Sequence, residues 1–481
     1  MKKVFNTKPA MTSIDPMKVY YNIGALMDIP TGQYVRGERG ENILNGGVGA
    51  LTAVVGKPNM FKSTIAHYMT LSASAKISSS GYAPFINTYD TESNMLPERL
   101  LFFSKTFKEF KDIDILNEGI WQITDVDKHL GDEWYKLLKD YLKDDKLKNA
   151  KQYTFKTPFI DKNNNPISVL FPTFGQVDSL SKFLTADVEA MQNKNQLGES
   201  GGNTIYMRQG LAKARMLMEL PGLCNATAHY LIVTAHVGKN TTMMQAGGAQ
   251  IPVKQLQHMK SDEAIKGAPS DFFFLTNTLW QAISASNYYN QGTKGPEYPR
   301  LQSDPEEGSA DLNKVSLKLL RNKSGPSGHT VELMVSQRDG VLPSLSEFHF
   351  IKENDRFGLE GNNTTYSLTL FPGVKIMRTT VRELLDSNEK LRRAVKITAD
   401  LLQIQMVYRT LPLKVPPLAD LYKKLDEQYG WDTILNTRDY WTFNQYDHEI
   451  PFLSSLDILE MYYDKYVPWW AKKPEMKGSA K

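Results

Sequence analysis

Apolar positions along the chain fall into two patterns. Short, nearly continuous apolar runs bounded by polar turns read as buried strands, and runs that return every third or fourth residue read as helices. Thr52 to Val55 is the first such strand; it breaks at Gly56 into a polar loop, and a helical pattern (Ile65, Ala66, Met69, Leu71) follows. Pro84 to Tyr89 is a second strand, closing on Asp90-Thr-Glu92. Strand, loop, helix and strand in that order form a βαβ unit and predict a parallel sheet. Leu96 to Asp112 and Glu133 to Lys148 read as helices, and Tyr153 to Leu170 as an inserted β-hairpin. Thr173 to Val177 is the next strand, closing on Asp178-Ser179. A helix from Tyr206 to Leu220 then leads to the strand Tyr230 to Thr234, which ends at Ala235-His236. Further strands are expected at Phe272 to Leu275, Val315 to Leu320 and Thr330 to Val335.

The segments between and beyond these elements complete the outline. Met1 to Tyr20 reads as an arm, and Gly37 to Gly49 as a glycine-rich lead-in of tight turns. Met191 to Asn203 has the composition of a mobile loop, and Gly238 to Pro269 is a second long loop. Loops of such length in a compact domain are commonly functional or disordered. Beyond about Asn354 the alternation stops: Thr380-Val-Arg-Glu383 spells a capping box, and Leu391, Val395, Leu402 and Met406 mark one helical face. The expected organisation is an arm and lead-in over 1–45, an α/β core over 46–353 with an insertion at about 110–170, and a separate, mainly helical C-terminal domain over 354–481. Its aromatics (Tyr440, Trp441, Tyr462, Tyr463, Trp469, Trp470) read as core.

Composition narrows the class. Hydrophobic residues at 41% and charged residues at 23% are ordinary for a soluble globular chain. A net charge of +4 is small for 481 residues, so polyanion binding would have to be local. The single cysteine, Cys224, excludes an intramolecular disulfide framework, fits a reducing cytoplasm and reads as a packing residue. No apolar run approaches about 20 residues, so no membrane partner is expected. The mixed-sign run from Lys139 to Lys151 reads as a solvated face.

The loop Gly56-Lys57-Pro58-Asn59-Met60-Phe61-Lys62-Ser63-Thr64, between a buried strand and a helix, has the layout of a P-loop. In such a loop, backbone N–H groups and a helix N-terminus hold phosphates, the lysine reaches the terminal ones, and the hydroxyl ligates magnesium. The usual second glycine is here Phe61. Asp90, Glu92 and Asp178 each follow an apolar strand, so in a parallel sheet they converge on the edge that carries Lys62 and Ser63. The roles that follow are Lys62 on the β- and γ-phosphates, Ser63 on magnesium, Asp178 on magnesium through water, and Glu92 orienting the attacking water. ATP and Mg²⁺ are the expected cofactors, and ATP hydrolysis the expected activity. Zinc-type sites are not expected, because His229 and His236 lack ligand spacing and no cysteine pair exists.

These motifs resemble the RecA-like superfamily of DNA-dependent ATPases. Ile29-Pro-Thr-Gly32 with Ile43-Leu-Asn-Gly-Gly47 is similar to the family's lead-in, and Asp90-Thr-Glu92 matches the site of its catalytic glutamate. Within the superfamily the chain most resembles the recombinases of tailed phages, which also carry Phe before Lys-Ser, a sequence like Val177-Asp-Ser-Leu180, and a histidine ending strand four, as His236 does. The resemblance covers roughly Ile29 to Phe350 and is weak between the motifs. It implies a RecA-like P-loop core with a mostly parallel sheet. It also implies that His236 senses the γ-phosphate and signals to the following DNA-binding loop, where Lys239, Lys254, Lys260 and Lys266 would contact DNA phosphates. Arg321 and Lys323, one apart beside the turn Gly325-Pro-Ser-Gly328, would reach the γ-phosphate of a neighbouring subunit. The implied partners are single-stranded DNA, a homologous duplex and further copies of the chain in a filament or ring, with single-strand-binding and loader proteins as further candidates. The implied compartment is the cytoplasm, a host's if the chain is phage-encoded.

Two other readings stand beside the recombinase. Arg321 to Gly328 also resembles the finger loop of ring-forming replicative helicases of the DnaB type, with Lys323 at the finger arginine and Ser324 in place of asparagine. Those helicases carry a helical N-terminal domain, for which the stretch before the P-loop is short, and usually end strand four in Ser-Gln rather than Ala-His. A non-catalytic DNA-binding or scaffold protein with a degenerate P-loop rests on Phe61 alone.

Overall fold

The computed structural model describes residues 17–194, 202–239, 256–267, 269–362, 364–408 and 412–471. A 10-stranded mixed sheet is built from β1 (Leu51–Gly56), β2 (Phe85–Asp90), β3 (Trp121–Asp125), β4 (Thr173–Asp178), β5 (His229–Lys239), β6 (Glu263–Ile265), β7 (Thr278–Asn287), β8 (Leu312–Asn322), β9 (Thr330–Ser336) and β10 (Gly340–Val341). Their order across the sheet is β10-β9-β8-β7-β1-β5-β4-β2-β3, with β6 paired to β5. From β7 to β3 every pairing is parallel, whereas β7 to β10 and the β5–β6 hairpin are antiparallel. β1 lies at the centre and is buried along its whole length, as a parallel strand covered on both faces must be.

Helix α1 (Lys62–Ser78) follows β1 and is buried on nearly every face, with Ile65, Met69 and Leu71 at 1% exposure or less. Its Tyr68 and Ser72 hydroxyls both donate to the carbonyl of Ile23, at 2.6 and 2.7 Å. The lead-in is therefore packed onto the core, and the expected arm ends before Val19, Tyr20 and Tyr21, all buried. Residues 1–16 lie outside the described part.

The C-terminal part departs from the expected separate helical domain. It opens with a three-stranded antiparallel sheet (Leu359–Gly361, Thr365–Leu368, Phe371–Met377) before its helices begin. One hydrophobic cluster runs from Val19 through α1 to Tyr466, so the boundary near Asn354 does not divide the core. Polar contacts stitch the same seam: Gln403 Nε2 donates to the Leu26 carbonyl at 2.9 Å, and Arg36 pairs with Glu460 at 2.8 Å. Backbone and side chain of Asn42 both donate to Asp457 Oδ1 at 2.8 Å. Trp441 is buried, and Trp470 donates to the Phe452 carbonyl at 2.9 Å. These aromatics are packing residues, although Tyr463 stays 36% exposed.

Other differences have local causes. Phe272 to Leu275 is not a strand; Ser270–Phe273 is one helical turn, and the strand comes later, at Thr278–Asn287. An apolar run of four residues has no periodicity to tell the two apart. The helix expected to end at Leu220 continues through Pro221 to Thr227, because Leu223 and Cys224 remain buried under the sheet. Met191 to Lys194 and Gly202-Asn203 are helical backbone rather than loop, and 195–201 lie outside the described residues. Within the 110–170 insertion the hairpin is present (Thr154–Ile160 with Pro166–Leu170), but Trp121–Asp125 joins the main sheet as its edge strand. A helix begins at Val381 as expected, yet the Thr380 hydroxyl accepts from the Met377 N–H at 3.0 Å instead of capping the helix. In the charged run, Lys146 is buried at 2% exposure rather than solvated. No described helix is long and apolar enough to cross a membrane.

Candidate functional site

Register brings the strand ends together. Gly56 pairs with His236 across β1 and β5, and Asp90 pairs with Asp178 across β2 and β4. Several residues at or just past those ends open onto one cavity of about 1140 Å³ at the C-terminal edge of the parallel strands. Pro58 to Thr64, Glu92, Asp178, Lys182 and His236 line it, together with Arg99 from helix α2 (Pro97–Ser104).

The loop from Gly56 to Thr64 makes its turns without a second glycine. A Cβ on Gly56 would meet Ala282 at 3.1 Å, so the close approach of β7 favours glycine there. Phe61 adopts a left-handed φ of 56°, which glycine reaches without strain, and Asn59 does likewise at 59°. A side chain in that region costs about 1–2 kcal/mol; Phe61 offsets it by packing against the core cluster. The peptide after Phe61 begins α1, whose first N–H groups have no partner within the helix and suit phosphate oxygens. Lys62 Nζ donates to the Lys57 carbonyl at 2.9 Å. Burial lowers the Lys62 ammonium below its ordinary range, while the carboxylates of Asp178 and Glu92 pull it back up. The Lys57 side chain turns to Glu263 at 3.3 Å, which leaves only the backbone of residue 57 for the role expected of the loop.

The acidic residues divide their work. Asp90 is buried and accepts backbone N–H groups from Glu92, Asn94 and Met95 at 2.8–2.9 Å. It shapes the turn that presents Glu92 and does not face the cavity itself. Glu92 Oε1 lies 3.6 Å from His236 Nε2 and 3.9 Å from Lys182 Nζ, and Oε2 accepts from Asn94 Nδ2 at 3.2 Å. Asp178 Oδ1 accepts from the Thr234 hydroxyl at 2.5 Å. Thr91 bridges the two strand ends, its hydroxyl donating to the Ser179 carbonyl at 2.7 Å. Ser63 and Asp178 supply hard oxygen donors of the kind magnesium takes alongside phosphate and water. Among the described residues there is no cluster of three or more His, Cys, Asp or Glu able to hold a metal alone. A metal brought in with phosphates does not require one.

His236 is not the end of its strand. β5 runs on to Lys239 and folds back as β6, with the Lys266 N–H donating to the His236 carbonyl at 2.8 Å. The second long loop is thus anchored by a hairpin that grows from the cavity edge. Lys239 and Lys260 are exposed on it and Lys266 is half-buried; Lys254 lies outside the described residues.

Arg321 and Lys323 are not in the cavity. β8 runs antiparallel to β7, so Asn322 pairs with Thr278, which in turn pairs with Thr52 at the far end of β1. Four residues of strand from Thr52 to Gly56 alone separate the two edges by about 13 Å. Arg321 Nε donates to the Thr276 carbonyl at 3.3 Å, and Lys323 Nζ to the Leu275 carbonyl at 2.8 Å. Burial lowers both cations from their ordinary range, and the charges of Arg321 and Lys18 lower Lys323 further. Neither lines the cavity of its own chain.

Arg99 and Lys182 were missed by sequence reasoning. Arg99 Nη2 lies 3.4 Å from the Thr64 hydroxyl, and both residues bring positive charge to the cavity wall. The signal was available: Lys182 follows Asp178 by one turn, and Arg99 opens the helix after Glu92. In comparisons with known proteins, no family model and no curated protein matches the chain.

Proposed function

We propose that the chain is a DNA-dependent ATPase with a RecA-like core, acting as a recombinase that assembles on single-stranded DNA and pairs it with a homologous duplex. The observation that carries this reading is the convergence of Lys62, Ser63, Glu92, Asp178 and His236 on one cavity, with Arg321 and Lys323 held at the opposite sheet edge. A triphosphate would sit on the P-loop N–H groups, with Lys62 leaving the Lys57 carbonyl for the β- and γ-oxygens. Ser63 and Asp178 would hold Mg²⁺, whose charge would offset that of the phosphates. The rest of the cavity, walled by Met95, Leu96 and Arg99 on one side and Asn287 and Gln337 on the other, has room for a nucleoside.

Glu92 would orient water toward the γ-phosphate, and its contact with His236 would link that water to the β5–β6 hairpin. Hydrolysis here is positioning and electrostatics, so charge added from a neighbour matters. Arg321 and Lys323 provide such charge only across a subunit interface, which makes turnover depend on assembly. The decisive experiment is negative-stain electron microscopy of the protein with single-stranded DNA and a slowly hydrolysed ATP analogue. Extended helical filaments on the DNA are expected. Closed six-membered rings threaded by DNA would instead favour a replicative helicase using the same catalytic residues, and dispersed monomers would overturn both assembly-dependent readings.

A further inference from the structure

The P-loop and the β5–β6 hairpin are joined by an ion pair that the proposed hydrolysis does not use. Glu263, on β6, is only 8% exposed, and its Oε1 lies 3.3 Å from Lys57 Nζ. Its Oε2 accepts from Gln281 Nε2 at 2.8 Å. Gln281 is fixed in the sheet on β7, directly across from Val55, and is itself buried. A buried carboxylate needs its charge partner, because removing that partner leaves an uncompensated charge. Of the two groups that satisfy Glu263, Gln281 is buried on a backbone held in the sheet, whereas the Lys57 side chain is 56% exposed and sits on a loop. Lys57 is therefore the adjustable end. The same residue's carbonyl accepts Lys62 Nζ at 2.9 Å. Lys62, Lys57, Glu263 and the hairpin form one continuous polar chain.

We propose that Glu263 is a positioning residue that couples phosphate occupancy of the P-loop to a polyanion, single-stranded DNA, held on the β5–β6 hairpin. This rests on the reading of the cavity as an ATP site. When phosphate draws Lys62 away from the Lys57 carbonyl, residue 57 is freed to shift, and Glu263 transmits the shift to β6. In the other direction, an anion bound by Lys239, Lys260 and Lys266 sets the position of β6 and hence of Lys57. Glu263 pairs in register with Lys239, so the link meets the hairpin where its exposed cations begin.

Coupling between two equilibrium bindings is reciprocal, so it is measured from either side. The full-length protein is titrated with a slowly hydrolysed ATP analogue with and without single-stranded DNA, and with DNA with and without the analogue. Wild type should show DNA tightening the analogue, and the analogue tightening DNA, by one common factor. Glu263→Gln keeps the shape and the Gln281 contact but not the charge. It should leave analogue affinity without DNA unchanged and cut the common factor by about tenfold, a typical coupling magnitude. Glu263→Asp, which keeps the charge, should recover part of the factor, and a purely structural role would not produce that rescue. If Glu263→Gln lowers the melting temperature, Lys57→Met at the exposed end of the bridge reads the same link and must also reduce the factor. A Glu263→Gln factor equal to wild type, or a wild-type factor of one with analogue bound, overturns the coupling alone. Failure of the wild type to bind the analogue at all would overturn the ATP-site reading together with it.

Discussion

Lys146 offers a quantitative test of how far the packing departs from a solvated charged run. It lies on a π-helical stretch, Tyr141–Leu147, that carries it under the sheet, where Nζ donates to the Thr173 hydroxyl at 3.0 Å and the Ala228 carbonyl at 3.1 Å. Burial moves its ammonium from an ordinary value of 10.5 down to about 7. The neighbouring titratable groups are Cys224, whose thiol burial pushes up to about 12, and His229, whose imidazole burial pushes down to about 3; both stay neutral between these limits. Between about pH 7 and 10.5 the unfolded chain binds the Lys146 proton and the folded chain does not, so this group's contribution to stability rises with pH. At one pH unit per 1.36 kcal/mol, the penalty is about 4 kcal/mol at pH 7 and about 2 kcal/mol at pH 9. Lys146→Met removes the penalty and forfeits two neutral hydrogen bonds, about 1 kcal/mol each. Neither acceptor is orphaned: the Thr173 hydroxyl keeps His229 Nδ1 and the Ala228 carbonyl keeps the Thr173 N–H. The variant should be more stable than wild type by about 2 kcal/mol at pH 7, with the advantage gone near pH 9. Paired urea unfolding of both proteins across that range, followed by tryptophan fluorescence, measures the difference directly. A difference independent of pH would mean that Lys146 keeps its proton in the folded state, and the burial reasoning would fail.

Other outcomes bear on the cavity. Glu92→Gln should retain nucleotide and DNA binding while turnover falls roughly 10²–10⁴-fold, as when a group handling the attacking water is lost; unchanged steady-state hydrolysis would remove Glu92 from that role. Lys323→Ala breaks one exposed contact to a carbonyl, so its melting temperature should stay close to wild type while DNA-stimulated hydrolysis drops by about 10³-fold. Mixing it with Glu92→Gln protomers should restore part of the activity, because some interfaces then pair an intact finger with an intact cavity; no recovery on mixing would argue against action in trans. Thr234→Val deletes the 2.5 Å hydrogen bond that orients Asp178 and should raise the Mg²⁺ needed for nucleotide binding by roughly tenfold or more. A magnesium titration that overlays the wild type would show that Asp178 needs no such support.

What could be read from the sequence alone is what local pattern controls. A buried strand breaking at Gly56 into Lys62-Ser63, and strands closing on Glu92 and Asp178, specify parallel connections, and parallel strands bring their C-terminal ends to one edge whatever the rest of the chain does. The convergence of those residues was legible for that reason. Phe61 was ambiguous in sequence, because a residue name does not state its φ; the left-handed turn is set by the strand before it and the helix after. Tertiary structure alone decided which polar groups face the cavity. Asp90 and Glu92 are two residues apart, yet one is consumed by three backbone N–H groups and the other is left open. It also decided that Lys57 answers to Glu263, some 200 positions away in the chain, and that Lys146 is buried within a run that reads as solvent-facing. The C-terminal part shares one core with α1 for the same reason: its partners, such as Leu26 for Gln403 and Asn42 for Asp457, lie at the other end of the chain. Periodicity reports which face of an element is apolar, but the partner of that face is set by long-range packing that no window of the sequence contains.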